Sequence, residues 1–194
     1  MIYALARAIL RWVLLLRRWN VGGLQHMPKH GGVIVASNHI SYWDPVVVGC
    51  CFQRRVYFMA KAELFRYPVF GSLLRILGAF PVHRSGADRQ AIRTALQHLK
   101  QGRVLGIFPE GTRSKTGKML APQMGTALIA LKAGVPVLPV AVSGTRGVFG
   151  KIKVKIGKPL VFQNYYAKKP SKEDLKKVSE VIMEHIAALH SSLG

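Results

Sequence analysis

The stretch Asn38-His39-Ile40-Ser41-Tyr42-Trp43-Asp44 contains the two parts of a general base. An imidazole accepts a proton near neutral pH, and a carboxylate beside it fixes the tautomer and stabilises the imidazolium that forms. Further along, Phe108-Pro109-Glu110-Gly111-Thr112-Arg113-Ser114 offers an anion site. Glycine lets backbone amides approach a ligand closely, and the neighbouring guanidinium presents a fork of donors matched to phosphate or carboxylate oxygens. Together the two segments point to chemistry on a phosphorylated substrate. Other chemistries fit less well. Ser41 raises a Ser-His-Asp hydrolase, but the Gly-x-Ser-x-Gly elbow that exposes a serine nucleophile is absent. A metal site on His39 and Asp44 lacks further ligands at recognisable spacing, so neither metal nor cofactor is implied.

These residues need elements to hold them. Val33 to Ser37 is a short, β-branched apolar run that delivers Asn38 and His39 at its C-terminal end, where open α/β sheets place their sites. Asp44-Pro45 opens a helix through Cys51, with proline and an acid suited to the first turn. On one continuous helix His39 and Asp44 would lie about 140° apart, so they can meet only across the turn from strand to helix. Val56 to Met59 and Phe80 to Val82 read as strands. Ser85-x-x-Asp88 resembles a capping box ahead of a helix ending at Gly102. Val104 to Phe108 is a buried strand leading into the Glu110 turn, so two strand ends converge on one crevice. Gly125 to Ala133 is helical, Val137 to Val142 and Lys151 to Ile156 are strands, and Ser171 begins a last amphipathic helix. This alternation predicts a single-domain α/β sandwich with a central mixed or largely parallel sheet flanked by helices.

Composition narrows the partners. The 194 residues carry 29 Lys and Arg against 8 Asp and Glu, a net charge of +21 that implies an anionic partner. No zinc-finger, RNP or helix-turn-helix signature directs that charge to nucleic acid. An anionic membrane surface explains charge and apolarity together. The two cysteines, Cys50 and Cys51, are adjacent in an apolar run and suggest a reducing, cytosolic setting. Residues 1–20 form an expected amphipathic membrane-anchoring helix, and residues 21–194 the catalytic domain. Arg7, Arg11, Arg17 and Arg18 interrupt the first segment too often for a span. Each central arginine costs roughly 2.5 to 3.5 kcal/mol in a bilayer. Ile2, Leu5, Ile9, Val13 and Leu16 lie away from the arginine face, with Trp12 and Trp19 suited to headgroup depth. The competing expectation is a helix packed on the domain with its arginines solvated.

Four blocks in one order make the site more specific. Asn38-His39 through Asp44, Gly78-Ala79-Phe80-Pro81-Val82-His83-Arg84, Phe108 through Ser114, and Val135-Pro136-Val137-Leu138-Pro139-Val140 resemble the motifs of the glycerophospholipid acyltransferases. The likeness is to the bacterial enzymes that acylate 1-acylglycerol 3-phosphate to phosphatidic acid, and runs from about Asn38 to Val142. Lys61-Ala62-Glu63-Leu64 is similar to a further segment of that family. Pro122-Gln123-Met124-Gly125 departs from it, since many members carry a Phe-Lys pair before that glycine.

The resemblance implies that His39 acts as base with Asp44 as its orienter, taking the proton from the lysophosphatidate hydroxyl for direct attack on an acyl thioester. Lys61, Arg84 and Arg113 would grip the phosphate. Glu110 would orient donors or a substrate hydroxyl, Gly111 and its neighbours would supply amides to the oxyanion, and Asn38 and Thr112 would brace the turns. Thr145 and Arg146 are expected at the rim. The donor would be acyl-carrier protein or acyl-CoA, and the enzyme would sit on the cytoplasmic face of the membrane as a peripheral or monotopic protein. Alternatives are acylation of glycerol 3-phosphate or another lysophospholipid, and, in a different class, a non-catalytic basic module that binds anionic lipid.

Overall fold

The computed structural model describes residues 2–83, 88–147, 150–166 and 169–194. Its centre is a seven-stranded sheet in the order β1-β7-β6-β2-β5-β3-β4, formed by β1 (Asn20–Gly22), β2 (Val33–Ser37), β3 (Val56–Lys61), β4 (Ala79–Val82), β5 (Val104–Ile107), β6 (Val137–Ser143) and β7 (Lys153–Ile156). Every neighbouring pair is parallel except β6 with β7. The expected mixed, largely parallel sheet is therefore present. Its middle strand β2 is buried at every position, which explains a sequence that is apolar throughout instead of alternating.

Among the described residues six α-helices flank the sheet: α1 (Ile2–Leu16), α2 (Asp44–Cys51), α3 (Pro68–Ile76), α4 (Arg89–Lys100), α5 (Gly125–Ala133) and α6 (Lys172–Ser191). On one face Ile34, Leu105 and Ile107 pack with Ala95 and Leu99 of α4, Ala130 of α5 and Ile182 of α6. On the other, Val33, Val35, Leu138 and Val140 pack with Val47 and Val48 of α2 and Leu14 of α1. Adjacent residues of β2 thus feed opposite cores, as the pleat requires. Gly106 sits mid-strand because a Cβ there would stand 2.2 Å from the ring of Phe58.

The helix after β4 starts later than its sequence suggests. Asp88, expected inside the first turn, is the N-cap, and its carboxylate accepts the amides of Ala91 (2.9 Å) and His83 (2.8 Å). Ser85 and Arg84 lie outside the described residues. Ser171 begins α6, as expected, and caps it with Asp174 in a reciprocal capping box. Helix α3 and strand β1 were not expected. The apolar residues of α3 point to solvent, so its pattern signals no packing against a core.

Helix α1 docks with an inverted polarity. Arg7 donates to the carbonyls of Phe52 and Gln53, and Arg11 donates to Cys50, so both guanidiniums meet the C-terminal carbonyls of α2. A cation there is favoured by the helix dipole. Leu5, Ile9, Trp12 and Leu16 face outward, and Trp12 is 72% exposed. The competing expectation holds in part: α1 packs on the domain through Leu14 and Leu10, but Arg7 and Arg11 bond backbone carbonyls at the end of α2. No helix among the described residues is long and apolar enough to cross a membrane.

Candidate active site

The ends of β2, β5 and β6 build the site. From β2 the chain turns through Asn38, whose side chain pairs with both backbone groups of Val142 on β6, donating to the carbonyl at 2.9 Å and accepting from the amide at 2.8 Å. This double bond to the next strand fixes where His39 leaves the sheet. His39 then meets Asp44 across the turn, with Nδ1 2.8 Å from Oδ2. Ionised carboxylates only accept, so Nδ1 carries the proton and the Nε2 lone pair is the one available to a substrate.

Asp44 is fully buried and saturated. Besides His39 it accepts the amides of Ile40 (2.6 Å) and Ser41 (2.7 Å) on the same oxygen and the Thr145 hydroxyl (2.6 Å) on the other. It also opens the first turn of α2, where negative charge is favoured. Ser41 is spent structurally, since its hydroxyl donates to the Thr145 carbonyl at 3.0 Å and accepts the Trp43 amide.

Glu110 ties the second loop to the first. Its oxygens accept the amides of His39 (2.7 Å) and Leu120 (2.8 Å), and the residue is only 3% exposed. Each carboxylate oxygen thus holds one backbone amide, one from each of two loops. Burial pushes its pKa up, and the two amide bonds pull it back down. The His39 carbonyl accepts from Ser114, so the histidine backbone is held by the β5 loop on both sides. Phe108 stacks on the His39 ring at 4.0 Å, and Phe58 lies 5.9 Å beyond it.

Other predicted residues occupy the rim. Arg113 lies over the ring of exposed Tyr42, 3.4 Å from its centroid. Lys61, at the end of β3, is half exposed and pairs with Glu63 at 3.2 Å. Gly111 adopts φ +69, a conformation that glycine takes at little cost, and its amide is already committed to the Phe108 carbonyl at 3.0 Å. Thr112 does not brace the turn. It is exposed, and neither its side chain nor the amides of Thr112 and Arg113 have a partner among the described residues. Gln123, at the departure from the family pattern, clips its amide to the Pro109 carbonyl at 2.8 Å.

Two residues expected at the rim are integral. Thr145 is buried against Asp44, and Arg146 donates to the carbonyls of Ile40 (3.2 Å) and Ser114, joining the loops. Their position after β6 was visible in the sequence, but only the strand order brings β6 alongside β2.

A family model described as Acyltransferase matches residues 18–143. The chain belongs to the acyltransferase family. It is 34% identical over 175 residues to the 1-acyl-sn-glycerol-3-phosphate acyltransferase of Bacillus subtilis, covering 87% of this chain and 86% of that protein. The enzyme of the same name from Borreliella burgdorferi is 34% identical over 133 residues, covering 68% and 53%. Among solved structures, the 1-acyl-sn-glycerophosphate acyltransferase PlsC from Thermotoga maritima superposes with a TM-score of 0.71 at 31% identity, over 95% of this chain and 81% of that one. In this acyltransferase His39 and Asp44 thus form a buried, hydrogen-bonded pair at the mouth of the sheet.

Proposed function

We propose that this acyltransferase moves an acyl group from a thioester to the free hydroxyl of 1-acylglycerol 3-phosphate, giving phosphatidic acid. The observation that carries the reading is the His39-Asp44 pair: a buried carboxylate held by four hydrogen bonds fixes one tautomer of a histidine whose other nitrogen is available. His39 Nε2 takes the hydroxyl proton as the oxygen attacks the thioester carbonyl. The tetrahedral oxyanion collapses, the carbon–sulfur bond breaks, and the thiolate takes the proton back from the imidazolium. No acyl-enzyme forms. The amides of Thr112 and Arg113 serve the oxyanion, since those of His39, Ile40, Ser41 and Gly111 are already bonded. Arg113 and Lys61 hold the phosphate, together with Arg84.

Acceptor and product are amphiphiles, so the reaction takes place at a bilayer. The outward apolar stripe of α1 and the +21 charge suit the anionic cytoplasmic leaflet, with α1 lying in the interface. Turnover of an oleoyl thioester with 1-acylglycerol 3-phosphate in mixed micelles tests the reading, with glycerol 3-phosphate as competing acceptor and both carrier-protein and coenzyme A donors. Product from the wild type and none from His39→Ala is the expected result. No product with any pair would leave a lipid-binding module.

A further inference from the structure

The exposed apolar surface of this protein is not confined to α1. Among the described residues, every large apolar side chain that stands well exposed on an α-helix belongs to α1 or α3, and none to α4, α5 or α6. On α3 these are Val69, Phe70, Leu73 and Ile76, which recur at helical spacing as one stripe, with Val69 84% exposed. The buried position of that helix is Gly71, where a Cβ would stand 2.7 Å from the Phe65 carbonyl oxygen. Helix α3 therefore turns its small residue to the protein and its large ones to the outside, the reverse of a helix that folding alone would select.

Both stripes lie on one side of the sheet. The crossover from β3 to the parallel edge strand β4 runs in the same direction as that from β2 to β3, and right-handedness places α3 on the side of α2 and α1. A side chain links them directly. Arg55 lies over the Tyr3 ring of α1, 4.9 Å from its centroid, and donates to the carbonyl of Ile76 in the last turn of α3.

Charge divides the same way. Of the 8 acidic residues, Glu173, Asp174, Glu180 and Glu184 sit on α6, Asp88 caps α4, and Asp44 and Glu110 are buried in the site, leaving Glu63 alone near α3. Arg66 and Arg75 flank the α3 stripe. An apolar stripe bordered by cations is matched by lipid chains beneath anionic headgroups.

We propose that α3 is a second membrane-seating element, which shares an anionic bilayer with α1 and is held to it through Arg55. It goes beyond the α1 anchor proposed above, since α3 follows the Lys61 strand end and would bring the rim of the active site to the membrane. The full chain is labelled with an environment-sensitive fluorophore at Val69→Cys, Trp12→Cys or Arg93→Cys and mixed with phosphatidylglycerol–phosphatidylcholine vesicles. Cys50 and Cys51 are buried, and burial pushes the Cys50 thiol up to about 11, so only the introduced thiol reacts. Blue shifts at 69 and 12 with none at 93 are the expected result. Phe70→Ser combined with Leu73→Ser should lower the vesicle partition coefficient roughly tenfold or more. A silent probe at 69 beside a shifted one at 12 would overturn the role of α3 and leave the α1 anchor standing. Silence at both would remove both. A shift at 69 without vesicles that grows with protein concentration would assign the stripe to a second copy of the chain, and so overturn the proposal.

Discussion

The His39-Asp44 centre and the Arg113-Lys61 rim lie on neighbouring strand ends and are built in opposite ways. At the centre every polar group of Asp44 and Glu110 has an internal partner, and both residues are buried. At the rim Arg113 rests on an exposed tyrosine and Lys61 on an exposed glutamate. A base must already be in place when the proton moves, whereas a grip on a mobile headgroup can close around its ligand. The proposed base thus sits in the more firmly bonded of the two regions.

The comparison yields predictions that differ in kind. His39→Ala should cost at least roughly 10²- to 10⁴-fold in kcat while the protein still folds, with about 1 to 2 kcal/mol lost with the Asp44 bond and the Phe108 stack, because Glu110 and Ser114 still hold the backbone of the turn. Asp44→Ala should lose activity to a similar extent and also destabilise the fold by about 3 kcal/mol or more, since it leaves buried donors without an acceptor; chemical denaturation separates the two effects. Arg113→Ala should raise KM for the acceptor roughly 10- to 100-fold with little change in stability, the size of a lost charge-assisted contact. If its kcat fell while KM stayed fixed, the rim would belong to the chemical step and the contrast would fail. Thr145→Val keeps the shape and removes one bond to Asp44, so a loss of about 1.5 kcal/mol in stability and roughly tenfold in kcat is expected. Tyr42→Ala should have the smallest effect, a few-fold rise in acceptor KM, because an exposed cation–π contact contributes only about 0.5 to 1 kcal/mol.

The two loops also differ in how far they could be read from the chain. His39 and Asp44 were legible as a pair because a base, its orienter and a helix start occur within one short segment. Arg113 was read as an anion contact from its place after a glycine at a strand end, and the Tyr42 ring it lies over was not foreseen. Glu110 was placed correctly, but its partners were not, since the amides it accepts belong to His39, in the turn after another strand, and to Leu120. Thr145 was underestimated for the same reason. Helix α3 was missed because amphipathic periodicity is normally read as a core-facing stripe, and here the stripe faces out.

By itself the sequence determined the strands and most helices, through apolar runs, caps and turn residues that act over a few positions. It also determined the pairing of His39 with Asp44 and the excess of positive charge. Tertiary structure alone decided that β6 lies beside β2, that Glu110 and Thr145 close on the histidine loop, and that Arg7 and Arg11 of α1 meet carbonyls at the end of α2. Those outcomes depend on strand order and on which buried donor finds which acceptor, and such pairings join residues that are neighbours only after the chain has folded.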